Sequence, residues 1–259
     1  MTQEERLLWL IQYLLKESHL SREVQIPNSI EEQQRLLRSL INVRLPKPVT
    51  EEFLQIQDVY LKNQLSDKSL TSIANLTPIE GNLYLWQGDI TTLKVDGIVN
   101  AANSALLGCF IPCHRCIDNA IHSAAGVQLR WECHEIVQCQ NHEEETGGTK
   151  VTSAYNLPSH YVIHTVGPII TGEVAENDCE QLASCYRSCL EAAKRYQMKS
   201  IAFCCISTGE YRFPNELAAE IAIHTVREFF KNHDIDMEVV FNVFKEKDYE
   251  IYKRLLSSN

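Results

Sequence analysis

From about residue 80 onward, short apolar runs alternate with helical stretches, and that alternation leaves few architectures open. The runs are LYLW (83–86), VDGIVNAA (95–102), HYVIHTV (160–166), SIAFCCI (200–206) and VVFNVF (239–244). Between them, stretches near 117–126, 178–197, 214–231 and 247–257 read as helices. Strands that alternate with helices build a sheet covered on both faces. In such sheets ligands bind beyond the carboxyl ends of the strands. Residues 141–149, polar and ending in two glycines, read as a loop.

The first 75 residues follow a different pattern. Thr2 with Glu5 forms a capping-box signal ahead of an apolar stripe at Leu7, Leu8, Ile11, Leu14 and Leu15. Ser29 with Glu32 repeats the signal before Ile30, Leu36, Leu37, Leu40 and Ile41. Thr50 opens a third candidate with Phe53, Leu54 and Ile56. Helices this short need something to pack on. The expected division is a helical N-terminal extension over 1–75 and an α/β domain over 76–259.

Charge and cysteine usage narrow the function. A net charge of −10 argues against a protein that tracks nucleic-acid phosphates, which needs a basic stripe. It leaves room for a nucleotide-sized ligand, because backbone N–H groups can cradle phosphates. No run approaches the ~18 apolar residues of a membrane span. The N-terminus has no signal-peptide pattern, so a cytoplasmic protein is expected. In that setting the ten cysteines are expected as thiols or metal ligands rather than disulfides. Cys204 and Cys205 read as small buried hydrophobes, and Cys185 and Cys189 as one face of a helix.

Three strand ends carry candidate chemistry: Gly88-Asp89-Ile90, Asn100-Ala101-Ala102-Asn103, and Ser207 to Pro214. In the last, Gly209 is expected to permit a tight bend and Pro214 to start a helix. Such a junction presents free N–H groups and a positive helix end to a diphosphate, although an ordinary turn would look alike. The segment from Gly108 to Asn119 packs three thiols, an imidazole and a carboxylate ahead of a helix. Cysteine and histidine are zinc donors, and three protein ligands would leave a coordination position open for catalysis. A reduced cysteine-rich loop with a surface histidine fits the spacing equally well.

These residues together resemble the macrodomain superfamily, in particular its MacroD-type hydrolases. The matching strings are Gly88-Asp89-Ile90-Thr91, Val99 to Ser104, Ile117 to Gly126, Gly147 to Thr152, Tyr155 to Pro158, Tyr161 to Pro168 and Ile206 to Pro214. They occur in order across roughly residues 80–259. One departure stands out: Cys109-x₄-His114-x-Cys116 replaces a glycine run of the MacroD type. That pattern resembles a zinc-dependent macrodomain branch whose members carry a helical N-terminal extension.

The resemblance implies a three-layer α/β/α macrodomain with a central mixed sheet. It implies one zinc ion per chain on Cys109, His114 and Cys116, with Cys113 a bystander or a substitute ligand. It implies Asp89 as acceptor for the adenine amino group, with Ile90 adding its N–H. A turn aspartate is the alternative reading of Asp89. Phe244 would wall the adenine, or be a core phenylalanine. Asn103 would hold the distal ribose, while Asn100 ties the loop backbone. Asp118 would be the catalytic carboxylate, and an N-cap as well. Ser207, Thr208, Gly209, Glu210 and Tyr211 would form a phosphate loop. His122 and His164 read as packed, hydrogen-bonded structural residues.

The implied activity is removal of mono-ADP-ribose from modified protein side chains, of Asp/Glu linkage. The branch also implies a lipoyl-carrier protein as partner. A non-catalytic ADP-ribose reader, an O-acetyl-ADP-ribose deacetylase and a structural zinc scaffold remain as rival readings.

Overall fold

The computed structural model describes residues 1–20 and 23–257. Three helices come first: α1 (Gln3–Glu17), α2 (Ile30–Val43) and α3 (Glu51–Ser66). Each starts where its sequence signal lies. Thr2 and Glu5 exchange side-chain and backbone hydrogen bonds at 2.7 and 3.1 Å. Ser29 and Thr50 accept the N–H groups of Glu32 and Phe53. These caps satisfy backbone donors that the first turn leaves unpaired.

The chain then runs through β1 (Thr71–Ser72), β2 (Leu83–Gln87), β3 (Leu93–Lys94) and β4 (Gly97–Ala102). Next come α4 (Ile117–Ala125), α5 (Val127–Gln140), β5 (Thr149–Ser153) and β6 (Tyr161–Val166). It closes with α6 (Glu176–Arg195), β7 (Ser200–Phe203), α7 (Asn215–Asn232), β8 (Glu238–Val243) and α8 (Glu246–Ser257). The main sheet has six strands in the order β2-β8-β7-β4-β6-β5. Only the β5–β6 pair is antiparallel, which makes the sheet mixed. β1 and β3 form a separate two-stranded parallel pair.

Four of the five apolar runs end within a residue of the expected strands. The fifth stops early: β7 ends at Phe203, and Cys204 to Ile206 continue into the loop. Cys204 is buried and Cys205 half-buried, while Cys185 and Cys189 share the buried face of α6. Besides the two-residue strands β1 and β3, two longer elements carry no clear sequence signal. β5 is a polar edge strand, and Thr152 is its one buried residue. α5 carries a short apolar stripe interrupted by the buried Arg130, so helical periodicity is faint there.

The core forms two clusters that meet at the α4–α5 joint. The sheet cluster includes Val99, Ile121, Leu129, Ile163, Tyr186 and Phe241. The helical cluster joins Leu7, Leu10, Ile11, Leu37, Ile41, Phe53 and Tyr60, and Val127 of α5 completes it. Gln57 of α3, fully buried, accepts the Val127 N–H at 3.0 Å, and Asp58 accepts from Gln128 and Asn156 at 2.8 Å each. The N-terminal helices are therefore fastened to the α/β part through buried and part-buried polar bonds.

Candidate active site

β4 delivers Asn100 and Asn103 to one end of the sheet, and α4 brings Asp118 against them. Asn100, in register with His164 of β6, donates to Asp118 Oδ1 at 2.8 Å. Asn103 Nδ2 donates to the Gly108 carbonyl at 3.0 Å and lies 3.4 Å from Asp118 Oδ2. Asp118 is buried, and that burial raises its carboxyl to about 6 against the lowering effects of the Asn100 bond and Arg130. Arg130 is itself buried, stacked over Phe110 and bonded to the carbonyls of Leu107 and Ile41.

Two expectations change here. Asn100 does not tie the loop backbone; its amide holds the Asp118 carboxylate, because β4 aims it inward under α4. Asp118 does not cap the helix. Cys116 is the N-cap, its sulfur accepting the Asn119 N–H at 3.4 Å.

The loop between β4 and α4 gathers the thiols and the imidazole. Donor atoms of Cys109, His114 and Cys116 all lie within 4.8 Å of one another, and Cys109 Sγ is 3.6 Å from His114 Nδ1. Two thiols and an imidazole are a donor set that suits zinc. Burial pushes the Cys116 thiol up to about 12, so a thiolate there needs a compensating cation. By donor type and convergence the residues present fit a zinc ion. The second ring nitrogen, His114 Nε2, faces Glu210 Oε1 at 3.6 Å. A carboxylate on the far nitrogen is the usual way to orient a ligand imidazole.

Cys113 turns the other way. Its sulfur sits 3.2 Å from Ser39 Oγ and 3.4 Å from the Arg35 carbonyl on α2. Its φ of 53° is held by an N–H bond to Asn42 at 2.9 Å. It therefore packs as a bystander. Arg38 adds bonds to the His114 carbonyl and to Asn119 Oδ1. α2 thus braces the loop from behind, a role that no sequence spacing reveals.

Gly108 has φ +77°, and a Cβ there would come within 2.9 Å of the His122 ring. His122 is packed but not hydrogen-bonded: both ring nitrogens are buried without a partner. Its Nε2 lies 3.5 Å from Asp118 Oδ1, and burial drives its ionisation well below the ordinary range. His164 does make hydrogen-bond contacts, to Asn100 at 3.2 Å and Thr152 at 2.9 Å, and burial lowers it to about 3. Cys133 completes a buried cluster with these two histidines. With both His164 nitrogens engaged, that cluster serves as a polar core.

The loop after β7 runs from Ser207 to Phe213. The N–H groups of Ser207, Thr208, Gly209, Glu210 and Tyr211 make no hydrogen bond among the described residues. Ser207 (φ 63°) and Arg212 (φ 59°) take the left-handed conformation, whereas Gly209 does not. The expected glycine bend is thus made by its neighbours, fixed by bonds from Phe213 to Ser207 and from Arg212 to Gly209. A Cβ on Gly167 would meet Ser207 Oγ at 2.0 Å, so glycine there makes room for the loop.

At the far end of this edge, Asp89 Oδ1 accepts from the N–H and hydroxyl of Thr91 at 3.0 and 2.7 Å. Its second oxygen, half-exposed, faces Lys68 at 3.5 Å. The turn role is present on one oxygen, and the other is engaged by Lys68 at the surface. Ile90 is buried. Phe244, just past β8, is 76% exposed, which excludes the core reading of that residue.

A parallel sheet with one antiparallel edge strand carries polar loops at its carboxyl edge and free backbone donors after β7, which is the ligand-binding edge of an α/β domain. A family model described as "Macro domain" matches residues 99–222. A protein-ADP-ribose hydrolase of Treponema medium is 54% identical over 99% of this chain and 100% of its own length. One from Staphylococcus aureus is 47% identical over 94% of this chain and 93% of its own. Among solved structures, a Trypanosoma brucei macrodomain in complex with ADP-ribose is 32% identical. It has a TM-score of 0.67 and covers 85% of this chain and 94% of that one. An Oceanobacillus iheyensis macrodomain mutant with ADP-ribose is 41% identical, with a TM-score of 0.62 over 67% and 91%. The chain belongs to the macrodomain family.

Proposed function

We infer that this chain is a protein-ADP-ribose hydrolase and that its hydrolysis depends on zinc. The relatives similar over nearly the whole chain are named for that hydrolysis, which favours an enzyme over a reader. One observation carries the zinc reading: the Cys109, His114 and Cys116 donor atoms converge within 4.8 Å beside the buried Asp118.

In this reading ADP-ribose lies along the carboxyl edge of the sheet. Asp89 accepts from the adenine amino group beside the Ile90 N–H, and the exposed Phe244 ring covers the base. The free N–H groups of Ser207, Thr208, Gly209, Glu210 and Tyr211 hold the diphosphate. Asn103 fixes the distal ribose, since an amide both donates to and accepts from hydroxyls. Water's oxygen bonds to the ribose carbon that carries the Asp or Glu ester, the side-chain carboxylate leaves, and Asp118 takes the water's proton. A carboxyl poised near 6 by burial suits a base working close to neutral pH. Asn100 keeps Asp118 aimed, and Glu210 steadies His114. When bound, zinc supplies Lewis-acid stabilisation of charge at the sugar.

A lipoyl-carrier protein in the cytoplasm is the proposed partner. All ten cysteines are unpaired, in keeping with a reducing compartment. Among the described residues no helix is long and apolar enough to cross a membrane. The test is zinc content measured with release of ADP-ribose from a carboxylate-linked protein, before and after a chelator. One zinc per chain and hydrolysis that returns when zinc is restored are expected. Full activity in metal-free protein overturns the zinc dependence.

A further inference from the structure

A cleft of about 760 Å³ is lined by residues of α2, α3 and α4 and by the loop ahead of α4. It lies within the volume range of ligand pockets. Arg35, Arg38, Lys68 and Arg115 line it, against the carboxylates of Asp67 and Asp89. Lys68 is paired with Asp89 at 3.5 Å. The arginines are not so matched. Arg38 bonds only neutral acceptors, the His114 carbonyl and the Asn119 amide. The Arg35 and Arg115 side chains are exposed and have no ion pair or hydrogen bond among the described residues. Three guanidinium groups without a carboxylate partner among the described residues line this cleft, in a chain whose net charge is −10.

Position gives that charge a meaning. Arg115 stands between His114 and Cys116, so it flanks the place where the modified side chain must enter. A protein whose carboxylate is joined to a ribose beside the loop ahead of α4 has its neighbouring residues within reach of the cleft. Four cationic side chains against two carboxylates leave the cleft net positive, and such a cleft draws in the opposite charge that the acidic remainder of the surface repels. We propose that Arg35, Arg38 and Arg115 form a docking cleft for an acidic segment flanking the modified side chain of the protein substrate. This rests on the hydrolase reading above for what the segment belongs to, but the cleft can be tested without hydrolysis.

The test is fluorescence-anisotropy binding of a labelled Glu-rich peptide and its Gln-rich counterpart, with wild-type protein and R35E/R115E. The acidic peptide should bind, weaken as salt rises, and lose at least about tenfold in affinity to R35E/R115E. The Gln-rich peptide should not bind. ADP-ribose affinity and zinc content should match wild type, which reports an intact fold. If R35E/R115E is unstable, R35Q/R115Q carries the same expectation with a smaller loss. On an ADP-ribosylated acidic protein the variant should raise KM and leave kcat unchanged. Equal binding of the two peptides, or unaltered acidic-peptide affinity in the variants, overturns the cleft. Absence of hydrolysis in wild type would instead overturn the enzymatic reading and leave the peptide result standing.

Discussion

Asn100 and Asp118 lie eighteen positions apart and meet through a buried 2.8 Å hydrogen bond in which the amide donates and the carboxylate accepts. The bond joins the middle of β4 to the first turn of α4, so the aim of the carboxylate is set by the sheet. Asn100→Ala should leave ADP-ribose affinity within a few-fold of wild type. It should lower kcat by at least about tenfold, since a small misplacement of a catalytic group is costly. An unchanged kcat would show that Asp118 needs no such brace.

Asp118→Ala should cost about 10²- to 10⁴-fold in kcat, the usual range for a general base. Calorimetry should still detect ADP-ribose binding, because the proposed diphosphate donors sit on a different loop. A variant with normal turnover would remove Asp118 from the mechanism.

Glu210→Gln and Asn42→Ala probe the supports of the proposed zinc ligands. Glu210 faces the free nitrogen of His114, and Asn42 fixes the Cys113 backbone inside the same loop. Each should weaken metal retention about 10- to 100-fold in a competition with a chromogenic chelator, the scale of outer-shell changes in metal sites. Zinc retention equal to wild type in both would mean that the loop holds its shape alone.

His164 makes stability sensitive to acid. Burial lowers its folded-state pKa to about 3, below the ordinary 6.5 that the unfolded chain recovers. Above pH ~6.5 neither state is protonated at this group and its full contribution to stability is present. As pH falls from about 6.5 toward 3, the unfolded chain binds a proton that the folded one refuses. Stability should drop by about 1.4 kcal/mol per pH unit from this group alone. Urea melts at pH 7 and pH 5 measure the loss, and His164→Gln should flatten the slope by one proton. An equal slope in the variant would assign the acid sensitivity elsewhere.

Gly167→Ala should damage the loop after β7, because the added Cβ would fall 2.0 Å from Ser207 Oγ. Forced overpacking costs about 1–3 kcal/mol. A thermal melt should show that loss together with weakened ADP-ribose binding. Wild-type affinity in this variant would mean that the loop tolerates the shift.

The sheet was legible because its strands are apolar runs set between helical stretches, and the three capped helices because Thr2, Ser29 and Thr50 announce their starts. β5 escaped notice because Thr149 to Ser153 is polar, as an edge strand can be. α5 escaped because Arg130 occupies a buried position where periodicity expects an apolar residue. Within the site, residue types exposed the candidates but not their orientation. Asn100 faces a carboxylate through strand direction, and Cys113 turns away through a left-handed backbone held from α2. Neither fact is local, so no spacing encodes it. Arg35, Arg38 and Arg115 share a cleft only because α2 folds back across α4.

Arg130 carries one last implication. Its guanidinium is interior, and the Ile41 and Arg44 carbonyls at the end of α2 are among its acceptors. Excising the helical leader would orphan a charge beneath the loop that presents the thiols. The compact remainder would then need a neutral residue at 130 to stand alone. The leader is in that sense a keystone, and loss of it should be felt at the sugar before it is felt at the adenine.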